Sequence, residues 1–415
     1  MDSATTTSGG PIATTRSSPR VTCTRVPRHV LDVTTTEVPQ RLTDLTAFAW
    51  RAGASDIHLA TGETPRLRIG GSLIVGQHDD YPGAAKRIDA QEMEQIARYL
   101  AGSRWAEFAR RGDLDCAATV DKQRYRVSLL GQTTGIGAAL RLIIEQIPAF
   151  DDLGLPKRIL EFADLPHGLV LVSGPTGQGK STTLASLVQH VSSNRSCHII
   201  TIEDPIEFIH TMGDNAKAFI RQREVGEHTE GFAEALRHAL RQDPDVILVG
   251  EMRDPETIAV AVTAAETGHL VFSTLHTGDS VETINRIIDL FPPGQQRQAR
   301  LSLAATLRGT ICQRLVPVVG GQGRVPAVEI MMVNGRIQQC IVDPERTKDI
   351  ADIIAEGDYY GMQTFAQSLV SLLAAGVVDF ESAMEAAPNP HELRLMLQRE
   401  GITQVVLDPL PTVRL

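Results

Sequence analysis

Eight residues with the spacing G-x-x-x-x-G-K-S, Gly174-Pro175-Thr176-Gly177-Gln178-Gly179-Lys180-Ser181, are the part of this chain best suited to chemistry. Thr182 follows directly. Glycines at these positions let backbone N–H groups close on a phosphate chain, and the N-terminus of a following helix adds partial positive charge. Lys180 would reach the β- and γ-phosphates of a nucleotide, and the Ser181 hydroxyl would face Mg²⁺. The flanks suit this use. An apolar run at Leu169–Val172 enters the loop as a buried strand, and Leu184, Leu187, Val188 and Val191 recur behind it at helical spacing.

Carboxylates and histidines fall at the ends of further apolar runs. One run ends in Glu203-Asp204-Pro205-Ile206-Glu207. Another, Asp245-Val246-Ile247-Leu248-Val249, ends in Gly250-Glu251-Met252-Arg253-Asp254, and a third passes through Ser273 and Thr274 to His276. In a parallel sheet these ends share one edge, where ligands bind. Glu251, after the Walker B-like strand, is the candidate to orient or deprotonate an attacking water. Glu203 and Asp204 join Ser181 as candidate metal-side groups, because crowded carboxylates call for a cation and Mg²⁺ suits oxygen donors. His269 and His276 are candidate γ-phosphate contacts. Asp254 instead suits a helix cap, with Pro255 in the first turn and Gly268 past the end.

The elements needed to hold these groups are legible. Short apolar runs at Leu169–Val172, His198–Ile202, Val246–Val249 and Leu270–Ser273 alternate with helical patterns such as Phe232, Leu236, Ala239 and Leu240. This predicts an α/β fold with a mainly parallel sheet covered on both faces. From about Leu301 the sequence reads mostly as helices. Ahead of the loop, Leu42, Leu45, Phe48 and Ala49 predict a helix, Met93, Ile96, Ala97 and Leu100 another, and alternating stretches at Arg66–Ile69 and Tyr125–Leu129 predict strands of a smaller α/β unit. The expected division is a tail at 1–39, an N-terminal α/β domain at 40–148, a linker at 149–160, the nucleotide-binding core at 161–330, a C-terminal helical part at 331–400 and a second tail at 401–415.

Composition narrows the function classes. A chain of 415 residues with 22% charged and 42% hydrophobic residues has enough material for more than one core. The net charge of −10 argues against a whole-protein grip on nucleic acid, so no direct nucleic-acid partner is expected. There is no apolar stretch of about 18 residues and no secretory apolar core. The expectation is a cytoplasmic protein with at most peripheral membrane contact. Cys23, Cys116, Cys197, Cys312 and Cys340 form no C-x-x-C pair and read as free thiols.

Taken together, the motifs resemble the ATPase superfamily of type II secretion and type IV pili, and within it the PilT family of pilus retraction ATPases. The resemblance spans roughly Leu42 to Leu397. Ala54-Ser55-Asp56-Ile57-His58-Leu59 is similar to the family's N-domain signature, Thr201–Phe208 to its aspartate box and Thr263–Thr277 to its histidine box. Gln222-Arg223-Glu224-Val225 and Gly361-Met362-Gln363-Thr364-Phe365 are also family-like. No cysteine-rich zinc element and no long N-terminal extension of the assembly and secretion members is present. One segment departs: Gly335-Arg336-Ile337-Gln338-Gln339-Cys340-Ile341-Val342-Asp343-Pro344 replaces a family helix, and Pro344 would interrupt a helix there.

The resemblance implies a RecA-like core preceded by a PAS-like N-domain, ATP and Mg²⁺ as cofactors, and a homohexameric ring with nucleotide between the two domains. It implies that Glu251 is the catalytic glutamate and Glu207 the aspartate-box carboxylate near metal and water. His269 and His276 would sense the γ-phosphate, and Arg126 and Arg141 would be the arginines that the N-domain supplies. The implied function is pilus retraction against an inner-membrane platform protein at the cytoplasmic face. The alternatives are a pilus assembly, secretion or DNA-uptake motor, or a nucleotide-gated adaptor with little turnover.

Overall fold

The protein is described here by a computed structural model covering residues 37–70, 72–75, 86–143, 147–210, 216–321 and 323–402. Most of the two expected tails, and Cys23, lie outside the described residues.

The N-terminal part opens with α1 (Gln40–Arg51), whose Leu42, Leu45, Phe48 and Ala49 are buried along one face. Strands β1 (Ala54–Ala60), β2 (Arg66–Ile69) and β3 (Ser72–Val75) follow. Then come α2 (Ala90–Ala101), α3 (Trp105–Arg111), β4 (Asp113–Val120), β5 (Gln123–Gln132) and β6 (Gly135–Ile143). They form a six-stranded sheet in the order β3-β2-β1-β6-β5-β4, antiparallel throughout. Residues such as Ile57, Leu67, Val127 and Leu140 point to one side and meet α1 and α2 in a single core. The opposite side stays polar, as expected for an antiparallel sheet packed on one face. Asp89 caps α2 by accepting from Glu92 N at 2.9 Å.

The second sheet is built from β7 (Gly168–Ser173), β8 (His198–Glu203), β9 (Phe219–Glu224), β10 (Val246–Val249), β11 (Leu270–Leu275), β12 (Leu307–Pro317) and β13 (Arg324–Met332). Its order is β13-β12-β7-β11-β10-β8-β9, parallel except for the β12–β13 pair. Interleaved with these strands are α4 (Lys180–Asn194), α5 (Phe232–Ala239), α6 (Pro255–Glu266), α7 (Ser280–Asp289) and α8 (Pro293–Thr306). Side chains alternate between two cores. Leu169, Leu171, Ile247 and Val249 face α5, α6, α7 and α8, while Val170, Val172, Leu248 and Phe272 face α4. Burial on both faces is why these strands read as continuous apolar runs. Asp254 caps α6 as expected, with Oδ1 accepting from Thr257 N at 2.8 Å, and Gly268 follows the helix at φ +105°.

Two expectations about the chain's course are corrected. The region after Leu301 is not mostly helical at its start, since β12 and β13 form a long antiparallel hairpin there. Their near-unbroken burial at Leu307–Gln313 hid the strand period. The segment read as a linker is a packed part of the second body. It makes one 3-10 turn, Phe150–Leu153, and most of a second, Lys157–Phe162, which runs on past it; Phe150, Leu155 and Ile159, with Phe162 just beyond, lie in the core beneath α4 and β12. Beyond β13 lie α9 (Gly335–Val342), α10 (Ile350–Ala355), α11 (Phe365–Ala374), α12 (Phe380–Ala386) and α13 (Pro390–Arg399). Helix α9 ends ahead of Pro344, which starts a 3-10 turn. Helices α11, α12 and α13 pack on Cys312, Val316 and Ala327 of the hairpin. Among the described residues no helix is long and apolar enough to cross a membrane, and Cys116, Cys197, Cys312 and Cys340 are free thiols.

Candidate functional site

The phosphate loop runs from the end of β7 into α4. Gly174, Gly177 and Gly179 adopt φ of +144°, +78° and +80°, a region that side-chain-bearing residues rarely enter. Gly174 is also crowded, because a Cβ there would lie 2.3 Å from the Gln313 carbonyl oxygen. Lys180 is buried and donates from Nζ to the carbonyls of Gly174 at 2.7 Å and Pro175 at 2.9 Å. Burial pulls its pKa down, while the charges of Glu251 and Glu207 work the other way. The ammonium thus sits in the mouth of the loop, and Ser181 and Thr182 open the helix beside it.

A cleft of about 520 Å³ spreads from this loop. Its walls include Lys180, Ser181, Thr182, Glu203, Asp204 and Glu207. Glu251 and His276 close one side, and Arg126 and Arg141 of the N-terminal sheet close another. The topology accounts for this convergence: β7, β8, β10 and β11 are parallel, so their C-terminal ends share one edge. Glu251 is buried, with Oε1 2.5 Å from Arg253 Nη2 and Oε2 3.5 Å from His276 Nε2. Thr274 donates to the Gly250 carbonyl at 2.6 Å and fixes the turn that presents Glu251.

Glu203 accepts from Thr201 Oγ1 at 2.6 Å and Gln222 Nε2 at 3.2 Å. Its burial, with a smaller contribution from Glu207, raises its pKa to about 7. Gln222 also donates to the Phe208 carbonyl at 2.8 Å and accepts from His210 N at 2.9 Å, so β9 holds the Glu203–His210 loop in place. Among the described residues no group of three or more Asp, Glu, His or Cys side chains converges to hold a metal ion. The donors therefore fit a Mg²⁺ that arrives with phosphates and keeps several waters better than one held in an all-protein cage.

The arginines come from neighbouring strands. Arg126 on β5 and Arg141 on β6 are cross-strand partners. Arg141 Nε donates to Asp56 Oδ1 at 2.8 Å. Burial opposes ionisation of Asp56, but the Ser55 hydroxyl and Arg141 outweigh it and hold its carboxyl below the usual value. Arg126 Nη1 lies 4.0 Å from Glu207 Oε1, an exposed pair. A firmer tie between the two bodies is Arg124, which pairs with buried Glu224 and donates to the Ile206 carbonyl at 3.3 Å.

His269 requires correction as a γ-phosphate contact in this chain. It precedes β11, and its carbonyl accepts from Gly168 N at the start of β7, so it lies at the edge opposite the phosphate loop. Its ring instead meets the Ala264 carbonyl at 2.9 Å and Thr267 Oγ1 at 3.2 Å, beside the end of α6. Of the motif residues, Gly174, Pro175 and Gln178 do not line the cleft. Gln178 points to β12, where its Oε1 accepts from Leu315 N at 2.6 Å. Sequence reasoning also missed Gln313 and Arg324, which approach the loop from β12 and β13. No signal in a single sequence marks them, because the strands that carry them are inserted beside β7 only in three dimensions.

Comparison with known proteins bears on the whole arrangement. A family model described as type II/IV secretion system protein matches residues 35–384. The type IV pilus retractation ATPase PilT of Pseudomonas aeruginosa is 40% identical over 356 residues, covering 84% of this chain and 98% of that protein. A twitching motility protein of Neisseria gonorrhoeae is 44% identical over 270 residues, 65% of this chain and 71% of that protein. The crystal structure of the pilus retraction motor PilT with bound ADP superposes with a TM-score of 0.76 at 42% identity, covering 86% of this chain and 99% of that one. The expected RecA-like α/β fold and nucleotide-binding character stand with these relatives. The chain belongs to the type II/IV secretion system family and, within it, is a P-loop ATPase of the PilT family of type IV pilus retraction ATPases.

Proposed function

We propose that this protein is a Mg²⁺-dependent motor, working as a homohexamer, that hydrolyses ATP to retract type IV pili and drive twitching motility. It would act at the cytoplasmic face of the inner membrane on a pilus platform protein. The observation that carries this reading is the meeting of Lys180, Ser181, Glu251 and His276 with Arg126 and Arg141 around one cleft. Nucleotide placed there touches both bodies of the chain, so a change in its phosphates can alter how the two bodies meet.

The chemistry follows from the groups present. Lys180 and the loop N–H groups would hold the β- and γ-phosphates, and Ser181, Glu203 and Asp204 would be the residues on the metal side. Bound Mg²⁺ would neutralise charge on the β- and γ-oxygens. Glu251 orients and deprotonates the attacking water, assisted by Glu207 at the cleft wall. His276 lies against Glu251 and supplies a polar contact at the same end. Arg126 and Arg141 offer fixed positive charge to the transition state, as guanidinium groups do on phosphoryl oxygens.

Steady-state ATPase assays on wild type and Glu251→Gln, with light scattering on the same samples, test the enzymatic half. The expected result is Mg²⁺-dependent turnover from a hexamer and retained ATP binding in the variant, with turnover lower by about two orders of magnitude or more. Near-wild-type hydrolysis by Glu251→Gln would move the base elsewhere, with Glu207 next in line. Pilus counts in a deletion strain test the cellular half. Hyperpiliated, non-retracting cells fit retraction, and bald cells would overturn it in favour of assembly.

A further inference from the structure

We infer that Gln313, on β12, is a positioning residue for phosphate binding: it holds the phosphate loop in its cradle shape from outside the motif. The inference rests on the loop being the nucleotide site. The register of the sheet places Gln313 there. Strand β12 runs parallel to β7 with Cys312 opposite Ser173, so the next residue lies beside Gly174, where β7 gives way to the loop. The close approach of the Gln313 carbonyl to Gly174 follows from that register.

The Gln313 side chain uses both ends of its amide. Nε2 donates to the Gln178 carbonyl at 2.7 Å, and Oε1 accepts from Thr183 Oγ1 at 2.8 Å in the first turn of α4. Gln178 reciprocates through its Oε1, which accepts from Leu315 N at 2.6 Å. Loop and strand are thus stapled in both directions, each glutamine side chain bonding the other's segment. Gly179 is part of the same fit, since a Cβ there would meet Gln313 Nε2 at 2.8 Å. The anchor itself is rigid. Gln313 is 3% exposed, on a strand hydrogen-bonded on both sides to β7 and β13. A loop whose N–H groups must all face one phosphate chain has little regular hydrogen bonding of its own, so such external bonds set its shape before ligand arrives.

The test compares wild type, Gln313→Met and Gln178→Met as full-length protein. Gln313→Met preserves length and volume but forms neither bond, and Gln178→Met removes the reciprocal bond from the partly exposed side of the loop. Dissociation constants for fluorescent ADP, KM and kcat for ATP, and nucleotide-free melting temperatures are measured together. The expected result is a Kd for ADP weakened roughly tenfold in Gln313→Met, with KM for ATP raised in step, and a smaller loss in Gln178→Met. The nucleotide-free melting temperature should fall little in Gln178→Met. Unchanged Kd and KM in both variants, with or without a lower melting temperature, would overturn the proposal and leave Gln313 a scaffold residue. If Gln313→Met fails to fold, Thr183→Val, which removes the bond to Gln313 Oε1 from the helix side, decides by the same criterion. Lys180→Ala separates the underlying reading: undiminished nucleotide affinity in that variant would mean the loop is not the site at all.

Discussion

His269 and His276 stand at opposite ends of the same strand, β11, and only His276 reaches the cleft. The strand is six residues long, which at the usual rise per residue separates the two backbones by about 20 Å. His276 Nε2 lies 3.5 Å from Glu251, whereas His269 bonds near the end of α6. His276→Ala should lower kcat by about tenfold or more with intact folding. His269→Ala should keep wild-type turnover and lose some thermal stability. Parallel ATPase assays and melting curves decide this, and a kcat loss confined to His269→Ala would contradict the placement of the site.

Arg124 and Glu224 predict a stability effect that crosses between the two sheets. Glu224 is 4% exposed at its side chain and accepts from both Arg124 and Ile206 N. Truncating Arg124 to Met leaves a buried carboxylate with one partner fewer, at a cost of about 3 kcal/mol. The pair Arg124→Met with Glu224→Gln should recover a good part of that loss, because the uncompensated charge is gone. Urea denaturation of the three variants measures it. Additive losses would mean that the two side chains do not act as a unit.

Phe162 gives a third expectation, just past the segment that reads as a linker, at the end of the turn Lys157–Phe162. Its ring is fully buried and packs beneath β12, where a Cβ on Gly309 would come within 2.2 Å of it. Phe162→Ala should destabilise by about 3–5 kcal/mol. Tyr359→Ala, at a side chain 86% exposed, should stay within about 0.5 kcal/mol. Equal and small effects at both positions would show that the Phe162 ring does not hold the turn to β12.

These cases show what the sequence carries and what it leaves out. Local patterns carried far. The phosphate loop, the cap at Asp254 and the apolar runs of β7, β8, β10 and β11 depend on neighbours in the chain, so their residues announce them. Strand polarity then places Glu251 and His276 on one edge, and the same argument, applied strictly, removes His269, since a residue before a parallel strand faces the other edge. Strand β12 was not legible as a strand because it is buried on both sides, and unbroken burial erases the alternation that marks a strand. Gln313 stayed hidden for a related reason: its role exists only through the β7–β12 register. Pro148 ahead of the turns at 150–162, and Gly154 and Pro156 within them, signal loops and mask the large side chains packed between those signals.

Glu329 provides the expectation on pH. Its carboxylate accepts from Ser280 N at 2.8 Å and Ser280 Oγ at 2.7 Å, at the N-terminus of α7. Burial, with Asp279 and Glu392 nearby, raises its pKa from 4.5 to about 7 despite those bonds. A carboxyl raised on folding binds more protons in the native state than in the unfolded one across that window, so stability from this group falls as pH rises from about 4.5 through 7. The ionisation penalty is then fully present at pH 8. Glu329→Gln keeps an oxygen to accept from Ser280 and has nothing to ionise. Its melting temperature should exceed that of wild type by several degrees at pH 8, and the gap should shrink steadily toward pH 5. Glu203, raised to about 7 as well, remains in both proteins, so the difference between them isolates Glu329. Scanning fluorimetry from pH 5 to 8 measures that gap, and a gap that is constant or grows as pH falls would show that Glu329 does not titrate in this window.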